Sequence, residues 1–366
     1  MSKLFSPLRI GGVEVANRVG VSPMCQYSAR DGCMTDWHLQ HLMSMALSGA
    51  GHVTVEATHI LPEGRITLGC VGLWSDENET AMKRVLDACR SISSAKFSVQ
   101  LAHAGRKGSA QRPWQGGRAL SSAEGAWQTV APSDVPLAPG WHTPMALDDV
   151  GMRRVRDAFV AAAKRALRLG FDMVEMHSAH GYLLNEFLSP LTNRRSDHYG
   201  GSLENRLRFP VEVFEAVRAV WPSGRALGAR IPGSDYVDGA WGPQDAVIYA
   251  RALQASGCDF VTMSGGGVVL DAKVPTGPGY QVPFAQAVRD ATGMVTGAVG
   301  LISEPRQAEA ILQENRADYV AIARAFLFNP RWALHAALTL GDDAVFAPQY
   351  ARGHPSLYAP AKAWIA

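Results

Sequence analysis

The chain has 366 residues, of which 47% are hydrophobic and 19% are charged, and its formal net charge is +2. This composition is typical of a soluble globular protein with a sizeable core, and the small net charge gives no indication of a nucleic-acid partner or an anionic membrane. The length suits either two average domains or one large barrel.

Eight stretches are predicted to form β-strands, and in chain order they are 18–24, 49–57, 96–103, 170–176, 226–231, 257–263, 293–299 and 318–323. The second, fourth, sixth and seventh share one pattern, in which a helical segment ends at a glycine and an apolar run follows. Glycine suits the left-handed residue that ends a helix, and the apolar run suits a strand buried on both faces.

Helical patterns separate these strands. The first carries apolar residues at the spacing of one helix face, namely Leu39, Leu42, Met43, Ala46 and Leu47. Further helices are predicted near 77–92, 149–169, 203–221, 243–256, 281–292, 303–312 and 330–340. Pro210 is expected to split or kink the helix at 203–221, and Ser303 is expected to be the N-cap of the helix that follows it.

Strand–helix alternation repeated eight times predicts a single-domain α/β fold, the (β/α)8 TIM barrel, at residues 1–340. A doubly wound sheet is the alternative, but the chain lacks a Gly-x-Gly-x-x-Gly fingerprint. The long segment 104–147, after the third strand, is rich in proline and tryptophan and is expected to cap one end of the barrel. Residues 341–366 are expected to form a C-terminal arm that packs on this subunit or on a neighbour.

The cysteine pattern and the N-terminal residues indicate in which cellular compartment the protein is expected. Five cysteines, an odd number, contain no Cys-x-x-Cys pair, which argues against a disulfide framework, a zinc ribbon and a cysteine-ligated iron–sulfur cluster. The first residues lack the apolar core of a signal peptide, and no run of about 18 apolar residues predicts a membrane span. We therefore expect a cytoplasmic protein without a membrane partner.

In a barrel of this kind, catalytic residues lie at the C-terminal ends of the strands. The fourth predicted strand ends in His177, His180 and Tyr182, whose polar groups are costly to desolvate without partners. Histidines satisfied by backbone at a turn are the ordinary alternative. A metal site that adds Glu175 or Glu186 is another, but positions i and i+3 of a strand point to opposite faces unless the chain turns there.

Three other strand ends carry Arg230, Gly300 and Arg324. The charge of Arg230 needs a partner inside the barrel mouth, which could be Asp235, Glu175 or a bound ring that becomes anionic. Gly300 allows close backbone approach and Arg324 offers a fork of donors, so together they favour a phosphate site between the last two loops. A tight turn and a surface ion pair are the ordinary explanations of these two residues.

Cys25 follows the first predicted strand, and no base is adjacent to it in sequence. Its thiol could be a nucleophile, could tune a bound cofactor, or could be buried and inert. The residues around it do not decide between these three roles.

Six longer motifs are NRVGVSPMCQYSA (17–29), EATHILPEGRIT (56–67), QLAHAGRK (100–107), EMHSAHGYLLNEFLSPLTNRRSDHYGGSLENR (175–206), PTGPGYQVPFA (275–285) and APQYAR (347–352). With them the chain resembles, over nearly its whole length, the old yellow enzyme family of FMN-dependent ene-reductases. The resemblance is to the bacterial branch that includes thermophilic-like and xenobiotic reductases, and the fourth motif is its most specific part.

The resemblance implies non-covalently bound FMN, with NADPH or NADH as the hydride donor and no metal. It implies that Gln100 bonds the pyrimidine edge of the flavin, that Arg230 lies near N1 and that Cys25 tunes the flavin potential. The residues implied to contact FMN are Ser22, Pro23, Met24, Cys25, Ala57, Gln100, His177, Arg230, Val299, Gly300, Ala323 and Arg324. Ala323 replaces the glycine of many relatives, which one methyl group permits if φ is negative.

On the substrate side, the resemblance implies that His177 and His180 bond the activating oxygen with help from Tyr27, and that Tyr182 donates a proton. The implied reaction reduces the C=C bond of an α,β-unsaturated carbonyl or nitro compound, with hydride transfer from flavin N5. Arg352 is implied to reach the site of a neighbouring subunit in a homodimer or homotetramer. A metal-dependent hydrolase and a flavin-bearing redox sensor built on Cys25 are the alternative functions.

Overall fold

The computed structural model describes residues 1–364 and contains twelve β-strands within them. They are β1 (Leu8–Ile10), β2 (Val13–Val15), β3 (Val19–Val21), β4 (His52–His59), β5 (Lys96–Ala102), β6 (Val130–Ala131), β7 (Met145–Ala146), β8 (Met173–His177), β9 (Ala226–Ile231), β10 (Phe260–Met263), β11 (Val295–Ala298) and β12 (Tyr319–Ile322). Eight of them close into a parallel barrel in the order β3-β4-β5-β8-β9-β10-β11-β12. All eight coincide with predicted strands, so the TIM barrel is confirmed.

Ten α-helices lie in the same part of the chain. They are α1 (Asp36–Ala46), α2 (Asp76–Arg90), α3 (Asp149–Arg168), α4 (Leu183–Leu188), α5 (Leu203–Arg218), α6 (Pro243–Ala255), α7 (Val282–Thr292), α8 (Pro305–Gln313), α9 (Arg324–Phe328) and α10 (Trp332–Leu340). Eight match predicted helices, whereas α4 and α9 are too short to show a helical period in sequence. Among the described residues, no helix combines the length and the apolar character needed to cross a membrane.

One detail of the helix prediction is wrong, and of the two alternatives for Pro210, a split or a kink, the split is not observed. Helix α5 continues through Pro210 without a split, because the proline belongs to a buried face that packs against the core and offsets the lost hydrogen bond. Helix α8 begins at Pro305 with Glu304, not Ser303, in the N-cap position and without a side-chain cap. Proline at the first helical position fixes the backbone for helix entry, so a capping hydroxyl is not required there.

The strands are buried on both faces, as expected for a parallel sheet covered by helices. Every residue of β4, β8 and β9 is buried. The register pairs Gln100 with Glu175 across β5 and β8, His177 with Arg230 across β8 and β9, and Thr262 with Arg230 across β10 and β9. The polar residues of these four strands therefore meet in the upper half of the barrel, near its C-terminal end.

The N-terminal end of the barrel is covered by the antiparallel β1–β2 hairpin. Ile10, Val13 and Val15 of the hairpin belong to one buried cluster with Met173 and Phe260, which lie at the start of their strands. Burying these apolar groups stabilises the hairpin as a plug. The hairpin has no counterpart in the sequence-based prediction, because its two strands have three residues each.

The segment 104–147 and the C-terminal tail lie near opposite ends of the barrel. In the former, Trp127 Nε1 donates to the carbonyl of Glu63 (2.8 Å), in the loop after β4. In the tail, Asp342 accepts from the backbone N–H of Ser2 (3.0 Å), and the guanidinium of Arg331 lies over the ring of Tyr350 (4.7 Å). Two 3-10 helices follow, at Pro348–Gly353 and Ala359–Trp364, and residues 365–366 of the predicted arm lie outside the described residues.

Candidate active site

The chain turns sharply after β8, and this turn brings the two predicted histidines together. His180 and Gly181 both have left-handed backbone conformations, with φ of 63° and 72°. A Cβ atom at Gly181 would lie 2.2 Å from the carbonyl oxygen of Gly267, so the position requires glycine. Lys107 Nζ donates to the carbonyl oxygens of His180 (2.8 Å) and Gly267 (2.9 Å) and fixes the two loops to each other.

The hydrogen bonds of the pair settle where the protons lie on each ring. The backbone N–H of Ala179 donates to His177 Nδ1 (3.3 Å), so a neutral His177 carries its hydrogen on Nε2. That Nε2 lies 3.3 Å from His180 Nδ1, which must then accept. His180 therefore carries its hydrogen on Nε2 and donates to Ser264 Oγ (2.7 Å). The result is a directed chain from Ala179 to Ser264.

Both imidazoles are held neutral. Burial lowers the pKa of His177 well below its usual value, and the charge of Arg230 and any proton on neighbouring His180 oppose its protonation further. Burial likewise lowers the pKa of His180, with further contributions from Arg230 and Lys107. At neutral pH the pair offers N–H donors without carrying a charge.

Tyr182 lies beside this pair, with its ring centroid 4.9 Å from that of His177. Burial raises the pKa of its phenol well above the usual value, and the thiol of Cys25 and the phenol of Tyr27 raise it further. The hydroxyl is therefore protonated over the whole physiological range. The Lys107 ammonium lies 5.1 Å from the Tyr182 ring, where it would stabilise a phenolate.

Cys25 and Tyr27 pack with Tyr182 against a small buried cluster that contains Cys70 and Ile66. Burial raises the pKa of the Cys25 thiol well above its usual value, and Glu56 and Cys70 raise it further. A thiol in this state is a poor nucleophile, which argues against that role. Burial also raises the pKa of Tyr27, whose backbone has φ of 51°.

A cavity of about 640 Å³ adjoins His180, and its size is that of a small-molecule or cofactor site. Its lining joins His180 and Ser264 to the residues predicted for the flavin and its phosphate, namely Ser22, Arg230, Val299, Gly300, Ala323 and Arg324. The remaining predicted flavin contacts, Pro23, Met24, Cys25, Ala57, Gln100 and His177, do not line it.

One end of this cavity is lined by the three residues on which the expected phosphate site depends, Gly300, Ala323 and Arg324. Gly300 has φ of 107°, and a Cβ atom there would meet the Gln281 side chain at 3.1 Å. Ala323 has φ of −112°, a value that its methyl group permits. Arg324 is exposed at the cavity and forms no salt bridge with any residue of 1–364, so the surface ion pair considered as its alternative is not observed.

Beneath the cavity, inside the barrel, lies a layer of buried polar side chains. Glu175 accepts from Gln100 Nε2 (2.7 Å) and from Thr262 Oγ1 (2.5 Å). Arg230 borders both this layer and the cavity, and its buried Nε has no hydrogen-bond partner among the described residues. It forms no salt bridge with Glu175 or Asp235 within 4.0 Å. Arg230 therefore brings a guanidinium to the cavity wall, and its buried Nε has no acceptor in residues 1–364, an arrangement that costs free energy unless another group supplies one.

The other predicted residues are placed as follows. Pro23 borders the buried polar layer, Ala57 is buried near the end of β4, and the carbonyl of Met24 accepts from Gln26 Nε2 (2.8 Å). Arg352 is exposed in the tail, which contacts the N-terminal residues of the barrel and not the cavity. The structure therefore gathers most of the predicted residues at one end of the barrel and leaves Arg352 apart.

Two residues of the site have no predicted role. Ser264 orients His180 although 84 positions separate them in the chain, and Lys107 orients the same loop from 73 positions away. The Ser-Gly-Gly-Gly run after β10 and the Arg-Lys pair after β5 are the sequence signals for them. In residues 1–364 no three His, Cys, Asp or Glu side chains come together as a metal site would require.

Comparisons with known proteins show what the whole chain is similar to. A family model described as the NADH:flavin oxidoreductase / NADH oxidase family matches residues 3–343. The chain is similar to an NADPH dehydrogenase of Geobacillus sp. (strain WCH70), with 43% identity over 352 residues that cover 96% of this chain and 98% of that protein.

Solved structures give the same result. Morphinone reductase is 29% identical and superposes with a TM-score of 0.77, covering 98% of this chain and 93% of its own. A structure of morphinone reductase in complex with tetrahydroNAD is 28% identical and gives a TM-score of 0.76, covering 98% of this chain and 94% of its own.

Proposed function

Because the chain belongs to the NADH:flavin oxidoreductase / NADH oxidase family, the old yellow enzymes, and is an FMN-dependent NADPH dehydrogenase, we propose that it reduces activated alkenes. The substrates would be α,β-unsaturated carbonyl or nitro compounds. The observation that supports this most directly is the neutral His177–His180 pair beside the protonated phenol of Tyr182. Two N–H donors and an acid at one point are what such a reduction needs.

The cavity and the layer beneath it fit FMN. Arg230 offers a buried nitrogen without a partner in residues 1–364, and Arg324, which forms no salt bridge in that part of the chain, lines the same cavity. The residues that would hold the flavin are Ser22, Pro23, Met24, Cys25, Ala57, Gln100, His177 and Arg230, and those that would hold its phosphate are Val299, Gly300, Ala323 and Arg324. When bound, FMN supplies the hydride chemistry that links NADPH to the alkene.

The two histidines would hold the activating oxygen of the substrate. An oxygen that enters between the rings takes the Nε2–H of His177 in place of His180 Nδ1. His180 can then shift its own hydrogen to Nδ1, because Ser264 Oγ can donate to Nε2 as well as accept from it. Both imidazoles then donate to the same oxygen and stabilise the negative charge that develops there.

Tyr182 would donate the proton. Its raised pKa makes it a weak acid, so proton transfer is favourable only to a more basic atom such as the α-carbon of an enolate. The ammonium of Lys107 would stabilise the phenolate that remains. Tyr27 and Cys25 pack beside Tyr182 and would complete the wall against which the alkene lies.

The assembly is part of the proposal. We place the FMN-binding barrel at 1–340, its cap at 104–147 and the arm at 341–366. Arg352, exposed and away from the cavity of its own chain, would reach the site of a neighbouring subunit in a homodimer or homotetramer. The five cysteines are free thiols, which supports a reducing, cytoplasmic location.

The test is anaerobic reduction of the purified holoenzyme with NADPH or NADH, followed by mixing with 2-cyclohexenone, a maleimide, a nitroalkene and a saturated ketone as control. We expect the flavin absorbance to return with the alkenes and to stay bleached with the ketone. A protein that is reduced by NADPH but reoxidised by none of the alkenes would contradict alkene reduction and favour the redox-sensor alternative.

A further inference from the structure

Glu175 is a buried carboxylate with no role in the proposed reaction. It lies in β8, two residues before His177, with 4% of its surface exposed. Its two oxygens have separate donors: Oε1 accepts from Gln100 Nε2 (2.7 Å), and Oε2 accepts from Thr262 Oγ1 (2.5 Å). Burying a carboxylate in a fixed position costs free energy, so its presence here requires a physical reason.

The hydrogen bonds around Glu175 have one consistent direction. A carboxylate only accepts, so Thr262 gives its single hydroxyl hydrogen to Glu175. Thr262 Oγ1 also lies 2.8 Å from Tyr319 Oη, so Tyr319 must be the donor in that contact. On the other side, Gln100 must turn its NH2 group toward Glu175. The carboxylate therefore decides which end of the Gln100 amide faces away from it.

Glu175 also supplies the negative charge that acts most strongly on Arg230. Burial lowers the pKa of the Arg230 guanidinium, and the Glu175 carboxylate is the main charge that opposes this shift. The two residues lie on neighbouring strands, and no direct salt bridge joins them within 4.0 Å. Glu175 thus opposes the cost of burying the Arg230 charge without taking up its Nε, which has no partner in residues 1–364.

We propose that Glu175 is a positioning residue, which sets the amide orientation of Gln100 and offsets the charge of Arg230 so that both match the pyrimidine edge of FMN. This inference rests on the proposed placement of FMN against Gln100 and Arg230. That edge carries one N–H, at N3, between two carbonyl oxygens. Gln100, with one N–H bound to Glu175, presents its carbonyl as an acceptor for N3–H and keeps one N–H for a neighbouring oxygen.

The charge of Glu175 has a second consequence. A carboxylate close to the flavin disfavours added negative charge and so holds the reduction potential down, whereas Arg230 alone would raise it. Glu175→Gln removes the charge while keeping the size. Its single oxygen cannot accept from both Gln100 and Thr262, so one of these two donors must reverse.

The experiment measures two properties of the holoenzyme other than turnover. One is the midpoint potential of the bound flavin. The other is the ratio of dissociation constants for N3-methyl-FMN and FMN after reconstitution. In Glu175→Gln we expect a more positive potential whichever donor reverses, and a preference for FMN that falls several-fold to the extent that Gln100, not Thr262, is the donor that reverses. Glu175→Asp, which keeps the charge, should stay near the wild-type potential.

Glu186→Gln is the matched control. Glu186 is fully buried, and burial raises its pKa to about 8, so the same substitution removes little charge at pH 7. We expect both properties to be unchanged. If Glu175→Gln does not fold, Glu175→Asp is the second variant: it keeps the charge and the potential, while its shorter side chain draws the carboxylate away from Gln100 and should lower the preference for FMN.

Gln100→Ala distinguishes a wrong role for Glu175 from a wrong placement of the flavin. If Gln100→Ala lowers the preference for FMN and Glu175→Gln changes neither property, the role of Glu175 is wrong and the flavin placement stands. If Gln100→Ala also leaves the preference unchanged, the placement of the pyrimidine edge is wrong, and the inference fails with it.

Discussion

His177 Nε2 and His180 Nδ1 lie 3.3 Å apart at the barrel mouth, and the backbone N–H of Ala179 on the far side of the His177 ring makes His177 the donor. Because the pKa of each imidazole is well below its usual value, neither gains a proton as the pH falls from 7 to 5.5. Lys107, whose pKa burial lowers to about 8, titrates above this range.

We therefore predict that the rate constant for reoxidation of the NADPH-reduced enzyme by 2-cyclohexenone is independent of pH between 5.5 and 7. Stopped-flow measurement of flavin absorbance gives this rate constant directly. His180→Asn, which removes one imidazole, should react more slowly with an equally flat profile. A wild-type rate that titrates near pH 6.5 would show that a histidine of the pair becomes charged.

Tyr182→Phe should slow alkene reduction by roughly a hundred-fold or more, the usual contribution of a positioned general acid. Flavin reduction by NADPH needs no proton from this phenol and should be nearly unchanged. Stopped-flow measurement of the two half-reactions separates these effects. Tyr27→Phe, which removes a second phenol from the same cluster, is the matched control and should have a smaller effect. Equal slowing of both half-reactions by Tyr182→Phe would refute its role as acid.

Ser264→Ala should lower kcat/KM for the enone by about five- to ten-fold, since one hydrogen bond contributes on the order of 1 kcal/mol. The loss arises because His180 Nε2 then has no partner that fixes its tautomer. Ser264→Thr keeps the hydroxyl and should restore most of the rate. If alanine and threonine behave alike, the hydroxyl does not orient His180 and Ser264 only fills space.

Glu186 makes stability depend on pH in a direction opposite to that of most carboxylates. Burial raises its folded pKa to about 8, above the usual 4.5, so between these values the unfolded chain releases the proton first. The free energy of unfolding of the wild type should then fall relative to Glu186→Gln by about 1.4 kcal/mol per pH unit across this window. Below pH 4.5 the difference should be constant.

Urea unfolding of both proteins at pH 5, 6, 7 and 8 measures this difference. Glu212→Gln, at a half-buried position beside Tyr199, is the control for the loss of any one carboxylate. Its free energy of unfolding should change with pH in the same way as that of the wild type. A constant difference between wild type and Glu186→Gln from pH 5 to 8 would mean that Glu186 is ionised throughout.

The barrel is predictable from sequence because each of its strands carries a local signal. Gly49, Gly170, Gly257 and Gly293 all have positive φ, as residues that end a helix before a strand require. The β1–β2 hairpin carries no such signal, since its stability depends on contact with residues such as Met173 that are distant in the chain. Packing of this kind also keeps α5 unbroken at Pro210, where local rules favour a split.

The residues of the candidate site that lie at strand ends can be predicted from the sequence. His177, Arg230 and Gly300 could be named from their positions after apolar runs, and the structure brings all three to one end of the barrel. Ser264 and Glu175 could not be assigned in this way. Their roles depend on hydrogen bonds to residues on other strands, and only the strand register determines which side chains meet.

The hairpin of Leu8–Ile10 and Val13–Val15 fills the N-terminal end of the barrel, so a small molecule can approach His177 and His180 only from the mouth. On the proposed function, a nicotinamide donor and an alkene acceptor would then share one entrance. Closure of the barrel base would make the two reactants compete for that entrance, so we expect an excess of either to slow the entry of the other.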